Sequence, residues 1–126
     1  MVILIADDQQ HKIDLIRSML VHLTCDTEPL IAMTTEDAMR LIDTHDITHA
    51  FVDYYIPTKN GPAIISYLKA KNPAAHIALV SSSDNPRRNA EAKNAGAEAC
   101  ICTSDEMDTV EQAFRDLLEN WASVSP

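Results

Sequence analysis

The chain predicts an α/β protein, a doubly wound parallel sheet built from five βα units. Five short apolar or β-branched runs alternate with five amphipathic stretches of helical period. Four of the runs are nearly continuous in apolar or small residues, as strands covered on both faces are. The two glycines stand after the third run and before the fifth, where the backbone has to turn.

The predicted strands are 2–6 (VILIA), 29–33 (PLIAM), 49–54 (HAFVDY), 76–81 (HIALVS) and 98–103 (EACICT). The second is the weakest and belongs at an edge. In the first helix Leu15, Ile16, Met19, Leu20 and Leu23 recur at about 3.6-residue spacing and mark one buried face, with Ile13 half-buried at its margin. The second helix opens on a capping box at Thr34 and Asp37 and buries Ala38, Leu41 and Ile42. Gly61-Pro62 starts the third, which stops before Asn72-Pro73. The fourth runs from Asn85-Pro86 to Gly96, a glycine in the usual C-terminal position. For the fifth, Thr103 and Glu106 form a second capping box, and Val110, Ala113, Phe114, Leu117, Leu118 and Trp121 point inward. The last six residues, WASVSP, read as a frayed tail.

Right-handed crossovers between such units lead to the flavodoxin-like strand order 2-1-3-4-5. With 126 residues and no linker, repeat or low-complexity tract, residues 1–126 are expected to form one domain with no output domain.

Nineteen acids against ten bases argue against nucleic acid or an anionic membrane as the main partner, since both call for basic patches. No apolar run approaches the roughly 20 residues of a membrane span, and VILIA lacks the basic start of a signal peptide; a cytoplasmic location is expected. Cys100 and Cys102, at i and i+2 of a strand, lie about 6.5–7 Å apart, too far for an unstrained disulfide. They are expected to be buried free thiols. The five histidines show no ligand spacing with them.

In a parallel sheet the strand C-termini share one edge, where ligands bind. Asp7 and Asp8 end the first strand and Asp53 ends the third, its neighbour in this order. Three crowded carboxylates raise one another's pKa, and a hard divalent cation relieves that cost. The alternative is that one aspartate caps the first helix and the others are solvated.

The set Asp7-Asp8, then Asp53-Tyr54-Tyr55-Ile56-Pro57-x-x-x-Gly61, then Ser81 and Gly96-Ala97, on a (βα)5 pattern, resembles the response-regulator receiver domain over the whole chain. The resemblance implies a role for each matching position. Asp53 is the phosphoacceptor from a histidine kinase or phosphotransfer protein. Asp7, Asp8, Asp53 and the backbone carbonyl of Tyr55 hold Mg²⁺, with Mn²⁺ as a substitute. Ser81 hydrogen-bonds the phosphoryl group. The partners implied are that kinase or phosphotransfer protein and a downstream protein docking on the first helix or on the helix 4–strand 5–helix 5 face.

Two positions depart from the family pattern. Thr103 stands at the tip of the fifth strand where the family carries a lysine, followed by Ser104 in place of proline, and Cys100 replaces the aromatic switch residue. A charge-assisted hydrogen bond from such a lysine is worth roughly 1.5–3 kcal/mol, so its loss weakens phosphorylation without forbidding it. Other cations are Lys12, on the inward arc of the first helix, Lys59 after Asp53, and Arg87 and Arg88 opening the fourth helix; each reads as a surface charge. Tyr54 and Tyr55 read as packing or loop aromatics.

Three functions compete. The first is a stand-alone receiver phosphorylated on Asp53, a signalling phosphoacceptor and not an enzyme beyond self-dephosphorylation. The second is a phosphorylation-independent interaction module that kept the fold. The third, a phosphatase or flavodoxin-type carrier, is disfavoured, because Tyr55 stands where an aspartate-nucleophile phosphatase needs a second acid.

Overall fold

The computed structural model describes residues 1–23 and 28–124; Cys25 and the side chains of residues 22, 23, 123 and 124 lie outside the described residues.

 The expected inward position of Leu23 falls on one of these side chains and so lies outside the described residues. Among the described residues ten elements alternate: β1 (Ile3–Ala6), α1 (Gln10–Leu23), β2 (Leu30–Ala32), α2 (Thr35–Thr44), β3 (His49–Val52), α3 (Gly61–Lys71), β4 (His76–Ser81), α4 (Pro86–Ala95), β5 (Ala99–Cys102) and α5 (Met107–Val124). The strands form one parallel sheet in the order β2-β1-β3-β4-β5, as the sequence predicts.

Alternation along the central strands feeds two cores. Ile3 and Ile5 of β1, Phe51 of β3 and Ala78 and Val80 of β4 pack under α1 and α5, against Ile16, Leu20, Phe114 and Trp121. Leu4, Ala6, Ala50, Val52, Ile77 and Leu79 face the other way, against Ala38, Ile42, Ile64, Ile65 and Ala92 of α2, α3 and α4. Side chains of opposite parity therefore serve opposite layers, which is why the central strands read as unbroken apolar runs.

Helix ends follow local chemistry. The Thr34 hydroxyl accepts from the Asp37 N–H at 3.1 Å, the Asn60 side chain accepts from Ala63 N–H at 3.0 Å ahead of Pro62, and the Asn85 side chain accepts from the Arg87 and Arg88 N–H groups. Gly96 closes α4 at φ 129°, a backbone conformation that side chains resist.

Four expectations are corrected. The Thr103 capping box does not form, because α5 begins only at Met107 and the Thr103 hydroxyl turns back to the Ser81 carbonyl at 3.4 Å. The first four residues of WASVSP are helix and not a frayed tail, since α5 continues through Val124 and Trp121 is buried against Phe51; residues 125 and 126 lie outside the described residues. Ile13 is fully buried, not marginal. Cys100 and Cys102 are free but only half-buried, because β5 is a sheet edge.

Candidate functional site

The ladder continues past the strand ends and fixes the tips. Asp7 N–H donates to the Ala32 carbonyl at 3.0 Å and Asp53 N–H to the Ala6 carbonyl at 2.9 Å, so both aspartates leave the same edge of the sheet from adjacent strands. Oxygens of Asp7, Asp8 and Asp53 all lie within 4.8 Å of one another. Asp7 and Asp53 are buried and Asp8 is exposed, which gives the cluster one solvent-facing wall.

Lys12 reaches into this cluster. Its ammonium lies 2.8 Å from Asp53 Oδ1 and 3.0 Å from Asp7 Oδ2, with the lysine side chain 2% exposed. The expectation of a surface charge is therefore wrong. Lys12 precedes Ile16 and Met19 by four and seven residues, so helical period puts it on the inward face, and the buried carboxylates supply the counter-charge a buried ammonium needs.

The two oxygens of each buried aspartate differ. Asp7 Oδ1 accepts the Gln9 N–H at 2.9 Å, a local turn at the entry to α1, while Oδ2 accepts no hydrogen bond and rests on the ammonium as an ion pair. Burial pushes the Asp7 carboxyl up from its ordinary value, against the downward pull of the Gln9 N–H and Lys12. Asp53 Oδ1 holds the Tyr54 N–H at 2.8 Å as well as Lys12. No donor among the described residues engages Asp53 Oδ2.

The remaining predicted residues surround the carboxylates. Ser81 ends β4, is 7% exposed, and its hydroxyl accepts from Ser83 N–H at 3.2 Å. Thr103 is tied to Ser81 by its N–H at 2.8 Å, and its hydroxyl is spent on the same carbonyl. Gly61 lies under the loop after β3; a Cβ there would sit 2.1 Å from the Asp53 carbonyl oxygen, so only glycine lets α3 approach this closely. Tyr55 is exposed and pairs with Asn60 in an isolated bridge. Lys59 is exposed, its N–H bonded to Thr35 Oγ1.

Arg88 is not a free surface charge. Its guanidinium lies 4.5 Å from the Tyr55 ring centroid and 5.1 Å from that of Tyr54, and it donates to the Tyr55 hydroxyl. Tyr54 donates to Glu91 at 2.9 Å. The two tyrosines thus join the loop after Asp53 to α4.

At the opposite edge of the sheet stands a group that sequence spacing did not reveal. His49 and His76, paired in register at the starts of β3 and β4, stack at 5.2 Å, and Trp121 covers His49 at 5.0 Å. Only strand register could have announced this, since the two histidines are far apart in sequence.

The response regulator receiver domain family matches residues 3–116. No curated protein sequence matches the chain. Among solved structures, the receiver domain of NtrX from Brucella abortus is similar at TM-score 0.81 and 20% identity, with 98% of this chain and 99% of that one covered. The phosphorylated cyanobacterial phytochrome response regulator RcpA is similar at TM-score 0.81 and 18% identity, covering 98% and 95%. The Mn²⁺-bound form of response regulator Rcp1 is similar at TM-score 0.80 and 16% identity, covering 99% and 96%. With the family matched across nearly the whole chain and its fold and acidic edge in place, this protein belongs to the response-regulator receiver domains of two-component signalling.

Proposed function

We propose that the chain accepts a phosphoryl group on Asp53 from a phosphohistidine of a kinase or phosphotransfer protein and signals through protein contacts. The observation that carries this reading is the buried Asp53 carboxylate, with Oδ1 held by Lys12 and the Tyr54 N–H and Oδ2 left unengaged. Oδ2 is the oxygen available for attack. Its bond to phosphorus forms as the phosphorus–nitrogen bond of the donor breaks; the electron pair stays on the imidazole, which takes a proton from solvent.

The donor set fits a hard divalent cation, being all oxygen and partly solvent-facing. Asp7, Asp8, Asp53 and the Tyr55 carbonyl would hold Mg²⁺ or Mn²⁺. Such an ion, when bound, neutralises charge on the transferring group. Ser81 Oγ accepts from the Ser83 N–H, and its own O–H would donate to a phosphoryl oxygen. The downstream partner would dock on α1, whose outer face exposes Asp14, Ser18 and Val21, or on the α4–β5–α5 face.

Incubation with acetyl phosphate and Mg²⁺, followed by intact mass, is expected to show one added phosphoryl group in the wild type and none in Asp53→Asn. Absence of any gain overturns the reading. A second reading, an interaction module independent of phosphate, draws on Lys12, whose ammonium already offsets part of the pocket's negative charge, and on Thr103 and Cys100. It predicts that Asp53→Ala leaves partner binding intact.

A further inference from the structure

We propose that Lys12, from α1, supplies the phosphate-pairing cation that β5 lacks, alternating between the acid pair and a phosphoryl group on Asp53. The inference rests on the phosphoacceptor reading and names the residue that would complete that site. Thr103 cannot do this work as it stands, since it is neutral and its hydroxyl is bonded to the Ser81 carbonyl. Lys59 is exposed, and Arg88 is held by Tyr54 and Tyr55. Lys12 alone among these is buried within hydrogen-bond distance of Asp53.

The geometry favours a shared role. The ammonium has three N–H donors, of which two face Asp7 and Asp53, and no third partner engages it among the described residues. A phosphoryl group on Asp53 Oδ2 would place new oxygens beside a cation already 2.8 Å from the other oxygen of that carboxylate. A lysine stem reorients its head easily, so the ammonium can release Asp7 and keep contact with residue 53. Asp7 and Asp53 are also among the carboxylates that a divalent ion would use, so ion and ammonium would compete for them in the resting protein.

Beryllofluoride, a phosphoryl mimic, tests this in the full chain with Mg²⁺ present, alongside Mn²⁺ binding without it. In Lys12→Met, Mn²⁺ is expected to bind at least as tightly as in wild type, while beryllofluoride affinity falls about ten- to a hundredfold, the range of one charge-assisted hydrogen bond. Adding Thr103→Lys to Lys12→Met is expected to restore most of that loss. Unchanged beryllofluoride affinity in Lys12→Met, or a fall matched by an equal loss of Mn²⁺ affinity, overturns the proposal. Should Lys12→Met fail to fold, Thr103→Lys alone decides: a gain below about threefold means the role is already filled, and a gain of tenfold or more means it was vacant and overturns the proposal. Wild-type protein that takes up no beryllofluoride overturns the phosphoacceptor reading and this inference together, whereas wild-type uptake untouched by either variant test removes the inference alone.

Discussion

At the C-terminal end of β3 a carboxylate is buried against an ammonium, whereas at the N-terminal end an imidazole is buried with no carboxylate bonded to it among the described residues. Asp53 and Lys12 are buried side by side as an ion pair. His49 takes the other course. Thr48 Oγ1 accepts the Val2 N–H and donates to the Val2 carbonyl, so His49 Nδ1 carries the proton that bonds it, and Nε2 is left buried without a partner. Burial, then the neighbouring His76, hold the His49 pKa down to about 4. One strand thus shows both ways of taking a titratable group out of water, and the paired one sits where ligands bind.

The contrast is broken most sharply by removing the ammonium. Lys12→Met without divalent cations is expected to lose about 3–5 kcal/mol, the cost of stranding one side of a buried ion pair, and Mg²⁺ is expected to recover part of it in urea unfolding. Trp121→Ala, at the other end, should cost a similar ~3–5 kcal/mol as a core aromatic truncation, with no recovery by Mg²⁺. Recovery in both variants, or in neither, would erase the distinction.

Acid sharpens it next. The neutral form of His49 is the one the fold accommodates, so its contribution is fully present above about pH 6.5 and is lost as pH falls towards about 4. The facing groups are His76, the N-terminal ammonium and Glu98, the last opposing the shift. Denaturant midpoints taken at several pH values between 7 and 4 are expected to fall less steeply in His49→Asn than in wild type. The smallest effect belongs to Arg88→Ala, about 0.5–1 kcal/mol for an exposed cation–π contact, read as a modest drop in unfolding midpoint with Mg²⁺ binding unchanged.

The fold was legible because each strand announces itself by apolar content and each helix by its period, and β4 was bounded correctly at both ends. Asp7, Asp8 and Asp53 were legible because strand order alone brings the tips of β1 and β3 together. Lys12 was misread although its spacing to Ile16 and Met19 placed it inward: a lysine is ordinarily solvated, and only the coordinates show that two buried carboxylates reverse that preference. Thr103 was misread as a cap because a sequence motif does not show that the chain needs three more residues of turn before α5 can start. The His49–His76–Trp121 cluster depends on register and on where α5 ends, neither of which local pattern encodes.

Because the positive charge at the acidic edge is covalently part of α1, its supply does not vary with the ionic content of the medium. One built-in ammonium therefore offsets part of the charge of Asp7 and Asp53 whatever ions surround the protein, and the loop carrying Tyr54 and Tyr55 keeps its anchor at Asp53.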